Sequence, residues 1–225
     1  MTTHTSRAYE AELTALRERL LVMGGRCEGL LEKACRALED RDATLAAEVQ
    51  SADREVDADE MRIDEMTVRI LALRQPAGRD LRLLVTAIKV VTDLERIGDE
   101  ATNVAERVTQ LVECAELPPG LRGQLLEMAG LAKTAVHQAL QSFLLSDQTL
   151  AREILAKDDE IDALYGAVMR ASMDHIKDHP EHVEMAMCAA STSKYLERIG
   201  DHATNIAEMV VYLASGEDVR HAVKR

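Results

Sequence analysis

The chain has 225 residues, 30% of them charged, and a formal net charge of −13. A polyanion without Lys/Arg stripes and interleaved aromatics repels nucleic acid, so DNA and RNA are excluded as partners, while cations and basic protein faces are favoured. Hydrophobic residues make up 47% but aromatics only 2%, so the core must be Leu, Ile, Val, Ala and Met, a composition of long packed helices rather than sheets.

The chain opens MTTHTSRAYEAELTALRERL, with no apolar run behind a basic start, and is not read as a signal peptide. No stretch of about 18 uncharged apolar residues follows, so no membrane span is expected. A first helix runs to EDRDAT, where Asp42 is a good N-cap for the next. The second helix ends at Pro76 in RQPAGRD, since proline seldom continues a helix. A third helix leads to Leu117-Pro118-Pro119-Gly120, the expected linker.

Beyond that linker the pattern starts again. One constant shift places Arg17, Leu20, Met23 and Gly25 on Arg122, Leu125, Met128 and Gly130, and Asp42, Thr44 and Leu45 on Asp147, Thr149 and Leu150. The breaks recur at LSDQT and at Pro180 in KDHPEH. DLERIGDEATNVAERV (93–108) returns as YLERIGDHATNIAEMV (195–210). The fold expected is all-α, two tandem three-helix bundles with six long helices. Their bounds are 6–116 and 121–214, with a linker at 117–120 and a flexible tail at 215–225.

On a helical wheel, Leu94, Ile97, Gly98, Ala101, Ala105 and Val108 form the apolar stripe of the first motif. Glu95, Asp99 and Glu106 form a narrow acidic line at its edge. On the preceding helix Asp53, Asp57, Glu60 and Asp64 share one arc. Asp57 and Glu95 stand equally far from the Pro76 turn, as do Asp53 and Asp99, so antiparallel packing brings them to one height. Asp162 with Glu197, and Asp158 with Asp201, repeat the matching about Pro180 to within one residue. Tyr165 and Met169 replace Glu60 and Asp64, so the second site is expected to be the smaller or weaker.

Carboxylates that converge unpaired are costly without a cation. Oxygen ligands suit hard ions such as iron, manganese or magnesium. Acidic stripes are often only solvated faces or ion-pair rows, and Arg54, Arg62, Arg96 and Arg107 are available partners. Recurrence in both halves favours metal.

Other constellations carry less. Glu100 and its counterpart His202 point away from the acidic line and are expected at an exposed or interfacial position. His175, His179 and His182 gather at the Pro180 turn and are expected as turn and cap residues rather than ligands. Cys27, Cys35, Cys114 and Cys188 form no CxxC pair and are expected as reduced, mostly buried thiols of a cytosolic protein. No phosphate-binding Gly loop, GxSxG elbow or nucleophile–base pair is present, so catalysis is not expected. A ferritin-like di-iron oxidase is disfavoured because no Glu precedes any His by three residues.

The two LERIGD-x-ATN-x-AE copies, each preceded by an acidic helix and a Pro turn, together with LRLLVTAIKVVTDLERIGD, resemble the PhoU family of phosphate-uptake regulators over roughly Tyr9 to Ser215. His202 fits the family's ERIGDH form, and Glu100 departs from it. The resemblance implies a cytoplasmic, non-enzymatic, often dimeric protein of two three-helix bundles. It implies negative regulation of the phosphate-starvation response, linking the ATPase subunit of the phosphate ABC transporter to a membrane histidine kinase, with only peripheral attachment to the membrane. It also implies iron or zinc clusters on E(D)xxxD motifs. Carried onto this chain, the ligands are Asp53, Asp57, Glu95 and Asp99, and Asp158, Asp162, Glu197 and Asp201, with Glu60, Glu106 and Glu208 as outer candidates. A metal-binding helical scaffold that serves a different signal is the alternative.

Overall fold

The structure, a computed structural model, describes residues 2–52 and 54–219, and the described residues are helical with no strand. In chain order the helices are α1 (Thr2–Asp40), α2 (Ala43–Ala52), α3 (Arg54–Arg74), α4 (Gly78–Glu113), α5 (Pro119–Leu145), α6 (Gln148–Leu155), α7 (Asp158–Asp178) and α8 (Val183–Ser215). A single 3-10 turn, Pro180–His182, joins α7 to α8. These make six rods, three per half, because α2 with α3 and α6 with α7 each compose one middle rod.

The breaks are built alike in both halves. Arg41 ends α1 in the left-handed conformation (φ 52°), and the Asp42 N–H donates to Ala37 O at 3.0 Å. This is a Schellman closure. The Asp42 carboxylate then accepts from the N–H groups of Thr44 (2.8 Å) and Leu45 (3.0 Å) and starts α2. In the second half Ser146 (φ 52°) ends α5, the Asp147 N–H reaches Ser142 O at 2.8 Å, and the Asp147 carboxylate caps Thr149 and Leu150. The connection between halves falls at 114–118, slightly earlier than the sequence suggests, because Pro119 and Gly120 already belong to the first turn of α5. Proline is tolerated there since that N–H has no intrahelical partner.

The third rods, α4 and α8, pack along each other at the centre of the molecule. Outside them α1 packs on α4 and α5, while α3 leans on α4 and α7 on α8. The core is therefore continuous across both halves, with Leu16, Leu20, Met23, Leu94, Ile97, Leu125, Met128 and Leu196 fully enclosed. The motif stripe read from the wheel (Leu94, Ile97, Gly98, Ala101, Ala105, Val108) is buried throughout. Cys27, Cys35 and Cys188 are buried and Cys114 half-buried. Burial pushes the Cys35 thiol up to about 12, so it stays protonated.

The start of the tail is anchored. Gly216, in the left-handed region at φ 79°, closes α8, Glu217 pairs with Arg152 at 2.7 Å, and Val219 is buried. Residues 220–225, the rest of the segment expected to be flexible, lie outside the described residues.

Candidate metal centre

In the first half α3 and α4 bring Asp57, Glu60, Glu95 and Asp99 near enough for their charges to act on one another, though among the described residues not into a group as close as that of the second half. Glu95 is only 16% exposed, and its carboxyl is pushed up to about 7. Burial is the leading cause, followed by the charge of Asp99; Arg96 opposes, and Glu60 and Asp57 add to the rise. Glu60 is raised as well, by burial first and then by Asp64 and Asp57. Five carboxylates from two helices thus feel one another's charge. Asp57 is the exposed member. Asp53 lies outside the described residues.

Arg96 leans over this cluster from the α4 side. Its Nη1 donates to Asp99 Oδ2 at 3.1 Å. Its Nε lies 3.3 Å from Glu95 Oε2, close enough to attract but out of line for a hydrogen bond. Glu95 Oε2 and Asp64 Oδ1 are both buried with no hydrogen-bond partner. One guanidinium therefore leaves two enclosed anionic oxygens unsatisfied, a state that costs free energy unless a cation or proton takes the place of the missing donor.

In the second half Asp162 from α7 and Glu197 and Asp201 from α8 place carboxylate oxygens within 4.8 Å of one another. Asp201 is pushed up to about 6, mainly by burial and then by Glu197, Asp158 and Asp162, with Lys194 opposing. Asp162 is raised by burial, then by Asp158 and Glu197. Asp158, the fourth predicted ligand, accepts a hydrogen bond from Thr204 Oγ1 at 2.9 Å. Gly200 gives Ile161 of α7 room to pack: a Cβ there would stand 2.8 Å from Ile161 Cδ1, so that side chain would have to shift.

This is the tightest all-carboxylate group among the described residues, although Tyr165 and Met169 were expected to thin it. The loss of Glu60 and Asp64 equivalents removes charge from the flank of the site, not its centre. Tyr165 supports Lys194, whose Nζ lies 5.2 Å from the ring centroid and 2.7 Å from Glu197. Lys194 plays here the part that Arg96 plays in the first half; Arg96 was among the partners available from sequence, and Lys194 was not. A basic residue within three positions of each Glu was the available signal.

Of the outer candidates, Glu60 belongs to the first cluster. Glu106 is half exposed and faces Arg107 at 3.5 Å. Glu208 is half-buried about two turns beyond Asp201.

The remaining polar letters of the motif clamp the two halves together. Glu100, only 3% exposed, receives Arg198 Nη1 at 2.7 Å and Asn103 Nδ2 at 3.1 Å. Asp93 lies 2.9 Å from His202 Nδ1 and accepts from Asn205 Nδ2 at 3.1 Å. Positions 100 and 202 are thus interfacial, and the Glu-for-His exchange gives one copy the partner for an arginine. Asp59, buried beside Arg26 and Arg62, likewise ties α3 to α1 and lies off the acidic line.

The fold and sites define an all-helical protein of two duplicated bundles, each presenting a paired-carboxylate face. A family model described as "PhoU domain" matches residues 20–108 and 125–210. Relatives called phosphate-specific transport system accessory protein PhoU homolog are 41% identical in Pseudomonas putida (98% of this chain, 86% of the relative) and in Pseudomonas aeruginosa (98% and 91%). The crystal structure of PhoU from Pseudomonas aeruginosa superposes with a TM-score of 0.90 at 40% identity, covering 93% of this chain and all of that one. That of the phosphate transport system regulatory protein PhoU from Streptococcus pneumoniae gives 0.86 at 30%, over 94% and 99%. The chain belongs to the PhoU family.

Proposed function

We propose that this chain is a cytoplasmic accessory protein of phosphate transport that restrains phosphate uptake and the phosphate-starvation response. It acts by binding rather than catalysis, as an adaptor between the ATPase subunit of a phosphate ABC transporter and a phosphate-sensing histidine kinase, and as a homodimer. The observation that carries this reading is the 41% identity, over 98% of the chain, to proteins named for phosphate-specific transport. Among the described residues no helix is long and apolar enough to cross a membrane, which suits peripheral attachment to membrane complexes.

The two acidic faces each hold a cation. Asp57, Glu95 and Asp99, with Glu60, serve the first, together with the proposed ligand Asp53, which lies outside the described residues; Asp158, Asp162, Glu197 and Asp201 serve the second. The residues fit such an ion because Glu95 Oε2 and Asp64 Oδ1 are enclosed oxygens without donors and because three carboxylates of the second half crowd within 4.8 Å. An all-oxygen set favours iron, manganese or magnesium, with zinc the softer candidate. When bound, the ion neutralises the mutual repulsion and fixes the acidic helix to the motif helix.

Deleting the gene and assaying phosphate uptake and a starvation reporter in phosphate-replete medium tests the regulatory reading. Constitutive reporter expression is expected. A reporter that stays off, together with a pulldown that recovers neither a transporter ATPase nor a sensor kinase, would favour a helical scaffold serving another signal.

A further inference from the structure

The turn between α7 and α8 carries a cluster of different chemistry from the acidic faces. His175 lies in the last turn of α7, His179 is its C-cap, and His182 ends the 3-10 turn that leads into α8. The three rings touch: their centroids are 4.7 Å apart for His175 and His179, 5.3 Å for His175 and His182, and 5.4 Å for His179 and His182. Glu181 Oε1 stands 3.6 Å from His179 Nδ1. One ligand atom from each of His179, Glu181 and His182 falls within 4.8 Å of the other two.

The backbone already holds these groups in place. The His179 N–H donates to His175 O at 2.8 Å, the His182 N–H donates to His179 O at 3.0 Å, and Pro180 restricts the residue between them. In a tetrahedral site with metal bonds of about 2.0–2.2 Å, ligand atoms lie about 3.3–3.6 Å apart. Rotation of exposed side chains closes the remaining gap without moving the helices. The nearby ammonium of Lys177 is already engaged by Asp174 at 2.7 Å.

We propose that His179, Glu181 and His182 form a binding site for a borderline divalent transition ion of the zinc class, with His175 as its positioning residue. His175 Nε2 lies 3.0 Å from His182 Nδ1, so one ring supplies an N–H and the other a lone pair. With His182 as donor, its Nε2 lone pair is free to bind the ion while His175 fixes the ring, the usual arrangement around metal-bound imidazole. Two imidazoles and one carboxylate select zinc, cobalt or nickel over magnesium and manganese, the reverse of the all-oxygen faces. The ion joins the end of α7 to the start of α8, and three protein ligands leave a fourth position for water. A stack of imidazoles that serves only to cap α7 requires no ion, which makes the two readings separable.

The experiment uses the full chain, purified without a His-tag and stripped with EDTA, titrated with Zn²⁺ by calorimetry and with Co²⁺ by optical absorption. Four-coordinate cobalt bands are expected in the parent. The variant His179→Gln/His182→Gln should lose them along with about one zinc equivalent per chain, whereas Asp162→Asn/Asp201→Asn should keep both. His175→Gln should weaken zinc binding about tenfold to a hundredfold. Unchanged zinc stoichiometry in the double-His variant would overturn the proposal, and so would a parent without cobalt bands. If that variant misfolds, paramagnetic shifts of the imidazole protons in cobalt-loaded parent decide: their presence supports the site and their absence refutes it.

Discussion

Glu95 and Asp201 are the two side chains on which the site's chemistry turns. Each acid has its protonated form favoured beyond its ordinary range, Glu95 from 4.5 to about 7 and the more exposed Asp201 from 3.8 to about 6. Between the ordinary and folded values the native chain keeps a proton that the unfolded chain has released. Without metal, these groups therefore favour folding on the acid side and lose that contribution as pH rises through about 6 to 7. The melting temperature of the metal-stripped parent should fall, relative to Glu95→Gln/Asp201→Asn, as pH is raised from about 5 to about 8. A parent-minus-variant difference that stays flat or rises with pH would contradict this. At this scale the acids were legible from spacing alone: helical periodicity put Glu95 beside Asp99, and equal distance from Pro76 put Asp57 opposite. Of the cations, Arg96 was legible as an available partner and Lys194 was not. Whether Arg96 or Lys194 folds toward an acidic line or into solvent is decided by rotamers and by neighbours such as Tyr165, which no period records.

The helix breaks belong to the next scale. Asp42 and Asp147 each stand between one rod and the next, and both were readable because a capping carboxylate immediately before the new helix is a local signal. Asp147→Ala should lower stability by about 1 kcal/mol and the melting temperature by about 2–4 °C, measured by thermal circular dichroism. No change would mean that the tertiary packing of α6 alone sets this end. The split of the middle rods was not legible. No proline or glycine marks Ala156–Lys157, and the interruption separates the short α6, which packs on α5 and α8, from α7, which carries the ligands. Gly200 is the opposite case. It repeats Gly98 of the first motif's apolar stripe, and in the structure it admits Ile161.

At the scale of the whole molecule, the duplicated motif has two polar duties. One edge faces the acidic helix of its own bundle; the other faces the second copy. Composition and repeat were enough to anticipate six helices, but the docking of α4 on α8 is a non-local contact without a periodic signature. The pair Glu100–Arg198 tests that docking. Glu100 is almost fully enclosed, so Arg198→Ala leaves a buried carboxylate with only Asn103 beside it. The expected loss is about 2 kcal/mol, discounted for the half-exposed arginine, or about 4–8 °C in melting temperature. Glu100→Leu/Arg198→Leu should recover most of it, because the pair is costly to break but replaceable as a unit. Equal losses in both variants would show that the clamp acts through packing rather than charge. Since one core runs through both halves, either change should shift a single cooperative transition.

The claim that both bundles use their paired acids for a hard cation is tested most directly by Mn²⁺ equilibrium dialysis of the tag-free, EDTA-stripped chain. Manganese separates these faces from the histidine turn. About two Mn²⁺ per chain, one for each acidic face, are predicted for the parent, with binding lost in Asp99→Asn/Asp201→Asn. About one per chain or fewer, or the same amount in parent and variant, would contradict the account.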